Sequence, residues 1–476
     1  MTVPQTNLAW ETLLDLSATR TGPLHQRLAE AIRTAIRNGR IPLGAALPPS
    51  RVLAMDLRVS RWTVTEAYGH LIAEGFLSGR TGSATRVIWS PEPDDRQGRT
   101  AAHALAHPHH LAPSRYDLSQ CTPDYRGFPR RKWVDAIRVA AETVPFDRLG
   151  YAEPGGEPRL REVLTDHLNR RRGARADAAL MSVFTGARQC MAALCRALVE
   201  DGVRRIAVED PGSPGLWEAA ISAGLELVGL PVDEDGVLVD ALEQHPDVRV
   251  ICVGPAHQVV TGAVLTPERR EKLLEWAGRV DGLIIEDDYD SEFSYDGLAL
   301  PALHGADPDR VALIGSMSRT MTPTVNVGWI VAPRRWVEAV RAEPRLAATA
   351  PALNQLALAR FLESGDYDRH LRASRQRLRK RRDALIAELT RRVPEAKISG
   401  HHSGLHFLLE LPQATAATRV MAAAPKRGMA LCDVHLMYLD GAVEETRIQV
   451  GYGNLADSVV TEAANVLADL IRDSVA

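Results

Sequence analysis

The chain has 476 residues, of which 45% are hydrophobic and 25% charged, and its formal net charge at pH 7 is −3. Its length leaves room for two to four domains at roughly 150 residues each. No apolar run reaches the roughly 18 residues that span a bilayer, the N-terminus lacks a signal-peptide pattern, and the five cysteines contain no C-x-x-C pair. These features exclude a membrane protein and a disulfide framework, so we expect a cytoplasmic protein without membrane contact.

Charge is distributed unevenly along the chain. Residues 20–90 contain ten arginines, four acidic residues and no lysine, which gives this segment a formal charge of +6. The remainder of the chain therefore carries −9. A basic module on an acidic body predicts a polyanionic partner such as DNA.

The basic segment contains the pattern of three helices and a hairpin. Apolar residues recur at helical spacing from Pro23 to Asn38. Ser50 is a candidate N-cap for a second helix through Leu57, and Ser60 is one for a third helix through Glu74. The Gly-rich stretch 75–89 predicts two short strands around a turn. This order is typical of a winged helix-turn-helix.

The segment from Leu47 to Val87 closely resembles the winged helix-turn-helix of the GntR regulators. The resemblance implies that the start of the third helix enters the major groove, where Arg61 contacts a guanine edge and Thr63 a phosphate. Val64, Tyr68 and Leu71 are predicted to lie in the core of this domain. The residues predicted to bind DNA are Arg51, Ser60, Arg61, Thr63, Arg80, Ser83 and Thr85.

Residues 91–115 show no periodicity and are rich in Pro, Ala and His, so we interpret them as a linker. The four histidines in this stretch are those of a flexible segment, and no metal site is expected; they are His103, His107, His109 and His110. The predicted domains are therefore 12–90 for the DNA-binding domain and 116–476 for a larger domain.

The larger domain alternates helical patterns with seven short apolar runs. This alternation predicts an α/β domain with a mostly parallel sheet, and several runs end in Gly, Asp or Ser, where such sheets bind ligands. The seven runs are M-S-V-F-T, R-I-A-V-E, L-E-L-V-G-L-P-V, V-R-V-I-C-V, L-I-I-E-D-D, V-A-L-I-G-S and V-G-W-I-V-A.

The larger domain resembles the fold-type I aminotransferases, and the whole chain resembles the MocR-type branch of the GntR regulators. The order of winged helix, linker and aminotransferase-like domain is characteristic of that branch, whose members form head-to-tail homodimers. The segments that carry the resemblance are Tyr151–Leu164, Glu209–Gly212, His257–Gly262, Ile284–Tyr295 and Ser403–His406.

The resemblance implies a pocket for pyridoxal phosphate (PLP). Asp287 matches the partner of the pyridine nitrogen, Tyr289 the residue that bonds the ring hydroxyl, and Arg447 the arginine that receives a substrate carboxylate. The segment Gly186–Arg188 offers backbone amides to a phosphate. The predicted pocket residues are Gly186, Ala187, Arg188, Ser213, His257, Asp287, Tyr289, Ser316, Ser318, Arg319, Asn326 and Arg447.

Four positions depart from the family pattern. Arg319 stands where the Schiff-base lysine belongs, Asn326 replaces a phosphate-binding arginine, Ser213 replaces a stacking ring, and Val260 replaces a proline. A guanidinium stays protonated and cannot form an imine. The sequence therefore predicts a catalytically inactive domain without a covalent cofactor, and it leaves noncovalent PLP or another small effector open.

Three functions follow from these patterns. The first is a DNA-binding regulator whose larger domain dimerises and senses a small molecule, which requires different affinities in two states. The second is a PLP-dependent aminotransferase or covalent PLP sensor, against which Arg319 argues. The third is a scaffold that holds two winged helices constitutively, with DNA affinity independent of any metabolite.

Overall fold

The computed structural model describes residues 23–37, 40–42, 44–79, 85–88, 114–120, 122–150, 153–295, 301–342, 350–400, 402–440 and 446–475. The chain divides into two compact units between Ala104 and Leu105. Each unit has hydrophobic clusters of its own.

Within the described residues, the N-terminal unit has three helices followed by an antiparallel hairpin, as the sequence predicts. They are α1 (Leu24–Arg37), α2 (Ser50–Asp56), α3 (Arg61–Ala73), β1 (Leu77–Ser78) and β2 (Arg86–Val87). The winged helix-turn-helix layout is confirmed for the residues that the structure describes.

The core of this unit forms from the apolar faces of its helices. Val64, Tyr68 and Leu71 are buried there, which confirms the prediction for α3. The Tyr68 hydroxyl donates a hydrogen bond to the Pro48 carbonyl oxygen at 2.9 Å. The prediction for the start of α2 is wrong in one detail, because Ser50 is its first helical residue and the preceding proline occupies the N-cap position.

The larger unit is built on an eight-stranded sheet whose five central strands are parallel. Each of the seven predicted apolar runs forms one strand of this sheet. The remaining strand, β7 (Gly236–Val237), does not correspond to a predicted run. In spatial order the strands are β4 (Met181–Phe184), β11 (Gly328–Val331), β10 (Val311–Ser316), β9 (Leu283–Asp288), β8 (Val250–Val253), β5 (Arg205–Asp210), β6 (Glu226–Asp233) and β7 (Gly236–Val237).

Helices cover this sheet, which explains why its central strands are apolar on both faces. The helices of the larger unit are α4 (Arg130–Thr143), α5 (Pro158–Arg172), α6 (Ala187–Glu200), α7 (Pro214–Ala223), α8 (Pro267–Val280), α9 (Arg334–Ala342), α10 (Ala352–Glu363), α11 (Asp366–Arg392), α12 (Ala414–Ala423) and α13 (Val460–Val475). None of those in the described ranges combines the length and the apolar composition needed to cross a membrane.

Two smaller sheets complete the unit. The parallel pair consists of β3 (Tyr116–Asp117) and β14 (Met429–Ala430). The other sheet is antiparallel, and its strands are β12 (Lys397–Ser399), β13 (His406–Glu410) and β15 (Arg447–Gly451). An isolated bridge from Ser294 to Ser403 connects the region after β9 with the segment that enters β13.

Candidate functional site

The start of α3 is held by a side-chain cap. The Ser60 Oγ accepts a hydrogen bond from the Thr63 backbone N–H at 3.1 Å, and it lies 2.8 Å from the Thr63 Oγ1. Such a cap satisfies one of the donors left unpaired at a helix start. The Thr63 side chain is only 5% exposed and its hydroxyl is already paired. Ser60 is therefore the cap of α3 and Thr63 is its partner, while the predicted phosphate contact of Thr63 stays a prediction.

Three of the other predicted DNA contacts are exposed on the N-terminal unit. Arg51 on α2, and Ser60 and Arg61 at the start of α3, are exposed. Thr85 precedes β2, is half-buried, and accepts a hydrogen bond from the Leu47 N–H through its carbonyl oxygen at 2.8 Å. Two further predicted residues, Arg80 and Ser83, lie outside the described residues.

In the larger unit, the end of β9 presents three acidic residues to two sides of the sheet. Side chains alternate along a strand, so Glu286 and Asp288 share one side and Asp287 takes the other. Glu286 accepts hydrogen bonds from two backbone N–H groups near residue 303, and Asp288 pairs with the buried Arg172 at 3.0 Å. The carboxylates of Glu286 and Asp288 thus have partners within the fold, whereas Asp287 faces a cavity.

The cavity lies at the carboxyl ends of the parallel strands, where α/β sheets bind ligands. Glu209 from β5, Asp287 from β9, and Ser213, Trp217 and Tyr289 are among its lining residues. Its volume is about 20 Å³, which accommodates water. Ser213, Asp287 and Tyr289, predicted as pocket residues, are thus brought together, with a second carboxyl opposite them.

The carboxyl groups of Glu209 and Asp287 both have raised pKa values. Burial raises the pKa of Glu209 to about 8, against the hydrogen bond donated to it by the Gly254 N–H. Burial, with help from the neighbouring Asp288 charge, raises the pKa of Asp287 to about 7, while Arg319 opposes that rise. Shifts of this size are concentrated at functional sites, although structural networks also produce them.

Beside the cavity lies a buried cluster of two imidazoles. His257 Nδ1 is 3.0 Å from an Asp290 carboxylate oxygen and 2.8 Å from the Tyr289 hydroxyl. The ring of His406, from β13, lies 5.2 Å from that of His257, centroid to centroid. Among the described residues, both ring nitrogens of His406 and Nε2 of His257 find no hydrogen-bond partner. Buried polar atoms in this condition are rare in folded proteins.

Arg319 follows β10, and its guanidinium contributes positive charge near the cavity and the imidazole cluster. Its charge lowers the pKa of Asp287 and, together with burial and His257, that of His406. The turn before it is held by a 2.6 Å hydrogen bond between the Ser316 and Ser318 hydroxyls. Arg319 is therefore within electrostatic reach of both the cavity carboxyl and the imidazole cluster.

The lysines lie elsewhere. All five side chains are exposed, and two of them form ion pairs with aspartates on the surface. They are Lys132, Lys272, Lys380, Lys397 and Lys426.

The predicted phosphate-binding turn connects β4 to α6. Gly186 ends the connection from β4, and Ala187 begins α6. A Cβ atom on Gly328 of β11 would lie 2.6 Å from the Gly186 Cα, so only glycine permits this approach of the two backbones. Arg188, in the first turn of α6, forms an ion pair with Glu218.

Two further predicted residues lie at the periphery. Asn326 is exposed and adopts a left-handed conformation with φ of 56°, which asparagine tolerates better than most residues. Arg447 begins β15 and donates a hydrogen bond to the Tyr438 hydroxyl at 2.5 Å. The segment around Tyr438 meets the end of β5, because the Gly212 N–H donates to the Met437 carbonyl oxygen at 2.9 Å.

Comparisons with known proteins agree with this architecture. The family described as bacterial regulatory proteins, gntR family, matches residues 24–87, and aminotransferase class I and II matches residues 119–467. The chain is 30% identical to the probable rhizopine catabolism regulatory protein MocR of Rhizobium meliloti, over 94% of this chain and 93% of that protein. The chain belongs to the MocR-type branch of the GntR regulators.

Two other relatives extend the comparison. This MocR-type chain is 32% identical to the pyridoxine biosynthesis transcriptional regulator PdxR of Corynebacterium glutamicum, over 90% of the chain and 91% of that protein. A multiple substrate aminotransferase from Thermococcus profundus superimposes with a TM-score of 0.70 at 20% identity, over 82% of this chain and 96% of that one. The second likeness concerns the fold alone. The chain is thus a transcriptional regulator by family, with an aminotransferase-like fold in its larger unit.

Sequence reasoning missed three residues of the site. Glu209 and His406 lie in segments that carried the family resemblance, but neither was assigned a role in the pocket, and Trp217 was not singled out. An acidic residue at the end of an apolar run was the available signal for Glu209. No local signal identifies His406, because β13 reaches the site only through tertiary packing.

Metal binding has no support from the described part of the chain, which contains no group of three or more His, Cys, Asp or Glu side chains placed to hold an ion. The four histidines of the segment 91–115 lie outside the described residues.

Proposed function

We propose that this MocR-type regulator binds operator DNA through the exposed arginines of its N-terminal unit and that its larger unit works without covalently bound PLP. In this proposal the larger unit forms a homodimer and binds a small effector noncovalently beside Asp287 and Arg319. The observation that carries the proposal is that Arg319, which follows β10, puts a guanidinium rather than an amine within electrostatic reach of the Asp287 carboxyl.

The residues of the pocket do not fit a covalently held PLP. Only an amine can form the Schiff base, and all five lysine side chains are exposed, outside the cavity lining. Asn326 is exposed and uncharged where the family has a phosphate-binding arginine, and Ser213 offers no ring for stacking.

A titration with PLP tests this part of the proposal. The purified chain is mixed with PLP, the imine absorbance band is followed, and borohydride-treated protein is analysed by mass spectrometry. We expect no band and no stable adduct. A stoichiometric adduct at any of the five lysines would overturn the proposal and restore a covalent PLP sensor.

The imidazole cluster favours an effector over a passive scaffold. His406 and His257 have three buried ring nitrogens without a protein partner among the described residues, and Arg319 is close enough for its charge to lower the pKa of His406. These groups give a small polar ligand donors and acceptors to bind. We therefore expect one or more metabolites from a panel of amino acids, carboxylates and phosphorylated compounds, PLP included, to raise the thermal unfolding temperature and change DNA affinity. If the whole panel changes neither quantity, the scaffold function replaces the sensor.

An exposed apolar surface supports homodimer formation. Phe146, in the turn after α4, is 94% exposed, and Leu149 and Val134 are exposed nearby in the sequence. Contiguous exposed apolar patches mark association surfaces, and these three side chains are the candidates for such a patch in this part of the larger unit. Light scattering is expected to give twice the mass of one chain, and Phe146→Glu is expected to weaken the dimer. A wild-type monomer at micromolar concentration would contradict the homodimer.

A further inference from the structure

The outward face of α3 is not basic. Successive residues of a helix are about 100° apart, so the side opposite the buried residues of α3 carries Trp62, Glu66 and Gly69. Trp62 is 62% exposed, and a Cβ atom on Gly69 would meet nothing within 4 Å. The buried residues that define the inner side are Thr63, Val64, Ala67, Tyr68 and Leu71.

This face is the one that a helix-turn-helix protein turns toward the floor of the major groove. The first turn of the second helix contacts base edges, and Trp62 belongs to that turn. Arg61 beside it and Arg51 on α2 are exposed and supply positive charge for the backbone and for guanine. The open face at Gly69 permits close approach of the DNA one to two turns further along.

The chemistry of this face suits bases rather than phosphates. An indole has a single N–H donor and a large apolar surface, and the carboxylate of Glu66, one turn along, repels phosphate. Thymine is the only base that presents a methyl group in the major groove. An exposed indole therefore has one apolar feature to bind there.

We propose that Trp62 is a specificity-determining residue that recognises thymine through its 5-methyl group in the major groove. This inference rests on the proposed DNA binding by the N-terminal unit and adds the chemical group that is recognised. The ring is already oriented in the free protein. His25 of α1 packs against it edge-on, with centroids 5.4 Å apart and planes at 72°, and the ring of His70 lies 5.6 Å from that of His25.

The test removes only the methyl group. The full-length protein selects duplexes from a random-sequence pool, and the enriched site is then synthesised with deoxyuridine in place of each thymidine in turn. We expect at least one position per half-site where this change weakens binding about fourfold, the effect of removing one buried methyl-sized group. Trp62→Ala is expected to bind the thymidine and deoxyuridine duplexes equally.

Two variants act as controls. Trp62→Phe retains an apolar ring and should keep a preference for thymidine. Ile72→Ala, in the last turn of the same helix and 41% exposed, should leave the ratio of the two affinities unchanged.

The outcomes separate the two proposals. If no sequence is enriched and binding is independent of sequence, the proposed regulatory function fails. If a site is enriched but deoxyuridine has no effect at any position, or Trp62→Ala keeps the wild-type ratio, the assignment of Trp62 is wrong while DNA binding stands.

Discussion

The N-terminal unit and the pocket of the larger unit differ in what they retain. In the first, Arg51 and Arg61 are exposed on the helices expected to meet DNA, and Ser60 caps the helix that presents them. In the second, Asp287 stands at its strand end, but the neighbouring position 319 holds a guanidinium. The two regions therefore differ in how well their side chains suit the chemistry expected of their folds: exposed arginines are present where DNA contact is proposed, whereas position 319 offers no amine for a Schiff base.

The strongest test of this contrast places an amine, a guanidinium and an aromatic ring at three pocket positions that depart from the aminotransferase pattern. The triple variant Arg319→Lys/Asn326→Arg/Ser213→Tyr is expected to form a borohydride-stable PLP adduct at position 319, where the wild type forms none. The amine would then lie beside Asp287, as the Schiff base requires. The left-handed backbone at position 326 disfavours arginine there, so incomplete occupancy is expected.

The double variant Asn326→Arg/Ser213→Tyr, which lacks the new amine, provides the control for that experiment. An adduct in the double variant, or at a surface lysine of the triple variant, would show that position 319 does not decide covalent binding.

The buried carboxyl of Glu209 makes stability depend on pH. Its pKa of about 8 lies above the usual value near 4.3, so the folded protein keeps a proton that the unfolded chain releases. This contribution is complete below about pH 4 and is lost as pH rises toward 8, by up to about 1.4 kcal/mol per pH unit. Urea unfolding of Glu209→Gln between pH 5 and 8 should show a shallower decline than the wild type. The exposed Glu275→Gln on α8 should behave as the wild type, and an unchanged slope in Glu209→Gln would refute the assignment.

Removal of the Arg61 side chain tests the proposed DNA contact of the N-terminal unit. Arg61→Ala is expected to lose about 1–3 kcal/mol of affinity for the enriched site, because an arginine paired with a guanine edge contributes about that much to discrimination. Fluorescence anisotropy at several salt concentrations measures the loss. Arg334→Ala, an exposed arginine of the larger unit, removes the same charge and should have little effect. Equal losses in both variants would mean that Arg61 acts only through net charge.

The smallest expected effect is at the helix cap. Ser60→Ala removes the acceptor for the Thr63 N–H and is expected to destabilise the N-terminal unit by about 1 kcal/mol. Thr65→Ala, which removes an exposed hydroxyl bonded to the Arg61 carbonyl oxygen in the same helix, should cost less than about 0.5 kcal/mol. Thermal unfolding of the two variants checks this order, and a larger loss in Thr65→Ala would contradict the capping role.

The parts of the molecule that were predictable from sequence have local signals. Seven apolar runs became seven strands, and the three helices of the N-terminal unit end within two residues of their predicted bounds. Asp287 was assigned to the pocket through the family resemblance, and it belongs to the run L-I-I-E-D-D that forms β9. Thr63 was expected at a phosphate, and the structure pairs its hydroxyl with that of Ser60, since a helix start can satisfy its own hydroxyls.

The rest of the pocket depends on long-range packing. His406 meets His257 across 149 positions of sequence, through a bridge and an antiparallel sheet that no short pattern specifies. The different surroundings of the three acidic residues of β9 could not be predicted either. The alternation of side chains along a strand places them on opposite sides of the sheet, but it does not tell which side contacts Arg172.

The positions of the lysines have a practical consequence for chemistry at primary amines. Residues 20–90 contain no lysine, so the positive charge of the DNA-reading segment consists of guanidinium groups, which acetylation of lysine cannot neutralise. Succinimidyl dyes and amine-coupled sensor surfaces will modify side chains of the larger unit, all of them exposed. The protein can therefore be tagged or immobilised through lysine while every side chain proposed to contact DNA remains unmodified.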